Sequence, residues 1–272
     1  MPPDLSRRSW AAALRVGRLA ARATAPGVVL VVVGLVAFGG LLDAVQEQDD
    51  VSLADRPVLA WLVANRGPLA TAVLSAITFI SGPFVLPVVV AVACLGWGLA
   101  RRQSWRPLLL LGAMVSSSAL SFAIKGLVAR PRPPLDTMLV PGAETTASFP
   151  SGHTIGAATL LLVAGYLAVS RRPTAARLLG WGLAAVLGIL AVGLSRLYLG
   201  YHFLTDVLAA VALAVAILGI VVIADRMHML PGLQAEAGRH DPVPHPARGE
   251  RPRGDQRPRR TGDDVTGTGS TR

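Results

Sequence analysis

Three short polar clusters lie between residues 125 and 206 of an otherwise strongly apolar chain. The first is Lys125 with Arg130 and Arg132, and the second is Pro150-Ser151-Gly152-His153. The third is Ser195-Arg196 followed by His202 and Asp206. Lys125 is the only lysine, and His153 and His202 are the only histidines before residue 228. Cations and N–H donors suit the oxygens of a phosphate ester, which they hold most tightly in the transition state. An imidazole four residues from a carboxylate, as in His202 and Asp206, can be held in one tautomer while its other nitrogen attacks phosphorus.

Each cluster adds a specific capability. Lys125 and Arg132 are seven residues apart, with Arg132 past a helix end in a proline-stiffened loop, so both heads can meet one anion. Ser151 stands where an N-cap would, and Gly152 lets an anion approach the unsatisfied N–H groups of the first helical turn. Arg196 precedes His202 by six residues, so a short turn brings its planar fork alongside, where a lysine would be a poor substitute. Arg130 has no such role and reads as a solvated cation. Taken singly, each cluster also has an ordinary reading: a snorkelling lysine, a helix start, an interfacial helix pair. All of these would have to hold together on one membrane face.

The elements that must position these residues are membrane spans. A hydrophobic fraction of 52% and a mean hydropathy of +0.53 over 272 residues indicate an integral membrane protein. Six apolar stretches are long enough to cross: about 27–44, 82–100, 107–128, 151–171, 176–194 and 202–224. The expected fold is therefore all-α, with six transmembrane helices. Residues 57–81, broken at Arg66-Gly67-Pro68, read as short interfacial helices after the first span. The chain divides into a basic N-terminus (1–25), a six-span domain (26–226) and a disordered tail (227–272).

Six spans put both termini on one side. Arg7, Arg8, Arg15, Arg18 and Arg22 fall on that side with Arg101, Arg102, Arg106, Arg171, Arg172 and Arg177. By the positive-inside rule it is cytoplasmic. The acidic 43–56 loop and all three clusters then face outward from what reads as a bacterial plasma membrane. The net charge of +10 belongs to topology and anionic lipid rather than to nucleic acid. The lone Cys94 reads as a small buried hydrophobe. Asp136 and Glu144 look too isolated to hold a metal, so neither metal nor cofactor is expected.

Lys125-x6-Arg132-Pro133, Pro150-Ser151-Gly152-His153 and Ser195-Arg196-x5-His202-x3-Asp206 resemble the three-part signature of the type-2 phosphatidic acid phosphatase superfamily. That group contains membrane lipid phosphate phosphatases and, on a related soluble scaffold, vanadium haloperoxidases. The resemblance implies a metal-independent reaction in two steps. His202 forms a phosphohistidine with Asp206 orienting its ring, and His153 protonates the leaving alkoxide and then activates water. Lys125, Arg132, Arg196, Ser151 and the Gly152 N–H hold the phosphate oxygens. These demands on His202 and His153 imply a bell-shaped pH profile.

The implied partner is a lipid phosphate in its membrane: an isoprenoid diphosphate such as undecaprenyl diphosphate, phosphatidylglycerol phosphate or phosphatidic acid. An outward-facing site leans towards the isoprenoid carrier. Two rivals stand beside this reading. One is a vanadate-dependent oxidase, against which the six spans weigh. The other is a membrane protein that binds lipid phosphate without turnover, against which the retention of His153, His202 and Asp206 weighs. The sequence leaves the oligomeric state open.

Overall fold

Apolar runs of this length have one solution in hydrocarbon, because every backbone N–H and C=O must be satisfied within the segment. The computed structural model describes residues 4–239, with side chains over 17–230, and contains helices and no strand among them. In chain order these are α1 (Asp4–Glu47), α2 (Asp55–Ala64), α3 (Pro68–Ile80), α4 (Val85–Arg101), α5 (Trp105–Val128), α6 (Gly152–Val169), α7 (Ala175–Tyr198) and α8 (Leu204–Arg239). The tail expected over 227–272 lies outside the described residues from 240 onward. Before that point α8 continues helically to Arg239.

Among the described residues five helices are long and apolar enough to cross a membrane: α1, α5, α6, α7 and α8. The expected second span corresponds to α4, which meets that test only together with α3, bent from it by 53°. Six spans therefore require α3 and α4 to act as one broken crossing. The short helices expected after the first span are α2 and α3, and Pro68 takes the first helical position of α3, where its missing N–H costs nothing.

Punctuation in the sequence sets the turns at the site end. Helix α5 stops at Ala129, a left-handed residue (φ 47°) whose N–H returns to the Lys125 carbonyl at 3.0 Å. Pro131, Pro133 and Pro134 then prevent the helix from resuming. Between α7 and α8, Gly200 adopts φ 79°, and a Cβ there would collide with the Thr137 carbonyl. Only glycine fits that corner.

Helices α6 and α8 form the centre. Val90 and Cys94 of α4, Met114 of α5, Val163 of α6 and Leu213 and Ile217 of α8 share one buried core. Cys94 is indeed a small buried hydrophobe there. Val29 and Val36 of α1 and Leu179 and Leu190 of α7 point outward, as lipid-facing helices require. Helix α1 approaches α8 closely through small residues. A Cβ on Gly34 would stand 2.6 Å from the Ala212 carbonyl oxygen, and one on Gly27 would stand 2.7 Å from that of Gly219. Between helices in lipid, where no hydrophobic effect drives association, such backbone contact supplies the packing.

The end of the bundle away from the clusters has its own tie. Arg106, counted in the sequence as a loop charge with Arg101 and Arg102, is only 3% exposed. Its guanidinium donates to the Leu167 carbonyl at 2.5 Å and to Asp225 at 3.4 Å. Trp105 and Tyr166 also donate to Asp225, at 3.2 and 3.1 Å. One buried ion pair thereby joins α5, α6 and α8. At the glycine contact, Gly34→Val should lower the melting temperature of the detergent-solubilised protein through about 1–3 kcal/mol of overpacking. An unchanged melting temperature would mean that α1 and α8 are not packed this closely.

Candidate active site

The three clusters converge at one end of the bundle, where α5 and α7 end and α6 and α8 begin. The 129–151 loop is sewn to these ends by its backbone. Ser148 N–H donates to the Arg130 carbonyl at 2.9 Å, and Ser151 N–H donates to the Asp206 carbonyl at 3.1 Å. Lys125 donates to the Ala147 carbonyl and, at 3.3 Å, to that of Ser148, so its ammonium holds the returning strand of the loop. Met138 and Leu199 are buried beneath it.

His202 lies in the turn before α8, two residues ahead of Leu204, rather than in the helix itself. It is 1% exposed, and its Nδ1 faces Asp206 Oδ2 at 3.3 Å. Asp206 is the third residue of α8 and reaches back to accept the Phe203 N–H at 2.9 Å, the return arm of a capping box. Ser148 Oγ donates to the same carboxylate oxygen. The opposite edge of the imidazole, Nε2, lies 3.4 Å from Arg132 Nη1. Burial pushes the His202 imidazole down to about 4, partly offset by its hydrogen bond to Asp206. At neutral pH the ring is neutral, with Asp206 on one nitrogen and the cation pocket at the other.

Two arginine forks form that pocket. Arg132 donates to the Thr146 and Tyr201 carbonyls at 2.6 and 2.8 Å and to Glu144 at 3.0 Å. Arg196, 1% exposed, donates to the other oxygen of Glu144 and lies over the Tyr201 ring at 4.7 Å. A single carboxylate thus bridges both arginines. Burial alone would raise the Glu144 carboxyl above its usual range. Arg196 and Arg132 more than reverse that, with smaller contributions from His153 and His202, and hold it low and ionised. In the sequence Glu144 looked isolated; in space it stands at the centre of the cations.

The second cluster behaves less uniformly. Ser151 occupies the N-cap position of α6, but its hydroxyl accepts from Thr154 at 3.0 Å instead of capping a backbone N–H, and the residue is fully buried. Gly152 is exposed, and a Cβ there would meet only Ser121 Oγ at 4.0 Å, so open space adjoins the helix start. His153 is partly buried, and its Nε2 would be 3.7 Å from a Cβ on Gly82, at the bend between α3 and α4.

Arg130, which the sequence reading left without a role, is bound on both sides. Its Nη1 donates to Asp206 Oδ1 at 2.5 Å and to Thr205 Oγ1 at 2.8 Å, and its Nη2 to Asp55 Oδ2 at 2.7 Å. Asp55, from the loop expected to be merely acidic, is 3% exposed. Charge balance is the signal that points to these residues: four cations in and beside the clusters face a single cluster carboxylate, Asp206, so further acids must be recruited. Sequence spacing does not say which ones. Among the described residues no three His, Cys, Asp or Glu side chains group as a metal site needs.

The profile of the PAP2 superfamily matches residues 106–229, a segment that contains all three clusters. Phosphatidylglycerophosphatase B of Bacillus subtilis (strain 168) is 32% identical over 185 residues, covering 66% of this chain and 88% of the relative. The chain belongs to the PAP2 superfamily. The crystal structure of a transmembrane PAP2-type phosphatidylglycerolphosphate phosphatase from Bacillus subtilis superposes with a TM-score of 0.59 and 25% identity, over 76% of this chain and 98% of that one. This PAP2 protein is an integral membrane phosphatase, and the shared fold extends beyond the matched 106–229 segment.

Opposing influences set the His202 equilibrium in this PAP2 site. Asp206 raises the imidazole while burial and Arg196 lower it. Asp206→Asn should therefore shift the midpoint below the parent value of about 4. Histidine NMR titration of the detergent-solubilised protein measures both, and an upward shift in the variant would contradict the geometry.

Proposed function

We propose that the protein removes phosphate from a membrane lipid phosphate through a phosphohistidine formed on His202. The observation that carries this reading is the buried His202–Asp206 pair, with the other imidazole nitrogen, Nε2, 3.4 Å from Arg132. The Nε2 lone pair forms the N–P bond as the P–O bond to the lipid breaks. His153 gives its proton to the leaving alkoxide. It then takes a proton from the water that cleaves the N–P bond, and His202 is regenerated. Asp206 stabilises the cationic ring between the two steps.

Arg132 and Arg196 hold the non-reacting oxygens in the space now bridged by the Glu144 carboxylate. A tetrahedral dianion offers the same two forks a stronger acceptor. Lys125 and the Gly152 N–H complete the cradle. The contribution of Ser151 comes through its backbone tie to α8, since its hydroxyl is turned to Thr154. No metal enters this scheme.

The arginines at the opposite end support, by the positive-inside rule, a cytoplasmic location for that end and for both termini, with the site facing outward from a bacterial plasma membrane. There the lipid tail lies among the spans while its phosphate enters the pocket. The similarity to phosphatidylglycerophosphatase B of Bacillus subtilis, and to a crystal structure of a phosphatidylglycerolphosphate phosphatase from that organism, favours that lipid over phosphatidic acid and over the isoprenoid diphosphate that an outward site alone suggests.

The test is phosphate release from phosphatidylglycerol phosphate, phosphatidic acid and undecaprenyl diphosphate in excess chelator. The parent should turn over at least one of them undiminished by chelation. His202→Ala should lose about 10³-fold or more in kcat, and Arg196→Lys about 10²-fold. Turnover of none of the three by folded protein, or full activity in His202→Ala, would overturn the proposal.

A further inference from the structure

Helix α2 lies outside the 106–229 segment that matches the superfamily, yet it sends one acid into the catalytic end. Asp55 uses both carboxylate oxygens. Oδ1 accepts the Thr205 N–H at 2.9 Å, and Oδ2 accepts the Thr205 hydroxyl at 2.6 Å and Arg130 Nη2 at 2.7 Å. Thr205 is the second residue of α8 and immediately precedes Asp206. Its backbone N–H is one of the donors that a helix start leaves unsatisfied, and an acid from a different helix takes it.

Arg130 closes the chain of contacts. Its planar fork spans two carboxylates, Asp55 on one nitrogen and Asp206 Oδ1 on the other, and its face lies over the Phe203 ring at 4.5 Å. With Oδ1 occupied by Arg130, the Asp206 carboxylate can turn in only one way, presenting Oδ2 to His202 Nδ1, Ser148 and the Phe203 N–H. We propose that Asp55 and Arg130 are positioning residues for the reaction: they fix the Asp206 carboxylate, and through it the His202 ring. This rests on the reading of His202 as the nucleophile.

Charge explains why two acids bracket one arginine. An isolated Arg130–Asp206 pair would be neutral, and Asp206 would have less to offer a ring that becomes cationic on phosphorylation. With Asp55 present, the triad carries one net negative charge, and Oδ2 of Asp206, the oxygen that Arg130 does not take, faces the imidazole. Asp55 neutralises the arginine so that Asp206 can act on the histidine. The rival account is mechanical: Asp55 merely staples α2 to the start of α8. That account predicts a loss of stability, whereas positioning predicts a loss of kcat.

The experiment compares full-length Asp55→Asn, Asp55→Glu, Arg130→Gln, Asp55→Asn/Arg130→Gln and His202→Ala in detergent. The substrate is whichever of phosphatidylglycerol phosphate, phosphatidic acid and undecaprenyl diphosphate the parent turns over fastest. Asp55→Asn should lose about 10- to 100-fold in kcat with KM within about twofold of the parent, the signature of a group that orients a reacting residue. Asp55→Glu should recover part of the loss. The double variant should be no slower than Arg130→Gln alone, because both act through one carboxylate. Should Asp55→Asn not fold, Arg130→Lys keeps the charge but cannot bridge two carboxylates, and it carries the same expectation. Parent-like kcat in a folded Asp55→Asn or Arg130→Lys, or multiplying effects in the double variant with a matching fall in melting temperature, overturns the positioning role. If His202→Ala abolishes turnover in those same data, the nucleophile assignment survives that failure. Full activity in His202→Ala overturns both.

Discussion

Four cations, Lys125, Arg130, Arg132 and Arg196, crowd one end of a bundle whose flanks face lipid, and none can remain bare there. Lys125 takes loop carbonyls, Arg130 takes Asp55 and Asp206, and Arg132 and Arg196 share Glu144. The 129–151 loop takes its path from these contacts. Its returning arm is tied to the Lys125 ammonium, and Glu144 on it reaches the two forks. A charge cluster costly to assemble without an anion is also a receptor for one.

The helices serve this arrangement in two ways. Helices α6 and α8 both start at the site, where Asp206 and Asp55 take the N–H groups of Phe203 and Thr205 at the start of α8. Their far ends are locked by the Arg106–Asp225 pair, and α1 is drawn against α8 through glycine contacts. The site therefore rests on helix ends fixed at both extremities of the bundle. The bend between α3 and α4 sets Gly82 beside His153. That places the proposed general acid against the least regular part of the wall.

Much of this was legible in the sequence because membrane physics leaves few options. Long apolar runs must be helices, and the prolines after Val128 must end one. His202 and Asp206, four residues apart, meet as their spacing implies, although α8 starts later than the apolar pattern indicates. The parts that were not legible are long-range. Asp55 and Arg130 are 75 residues apart and meet because α2 folds over the start of α8, where Asp55 also binds Thr205. Glu144 sits alone in a proline-rich loop, and its role appears only when two arginines from different elements close around it. Ser151 was the opposite case: a good N-cap by type and position, whose hydroxyl goes to Thr154.

The central claim is that His202 becomes covalently phosphorylated. Turnover of lipid labelled in its terminal phosphate, quenched in alkali and followed by peptide mapping, tests it most directly, because phosphohistidine survives base and is lost in acid. The account predicts an acid-labile label on the peptide containing His202, enriched in His153→Ala and absent from His202→Ala. Steady turnover with no trapped label in either background, or a label on another side chain, would contradict it.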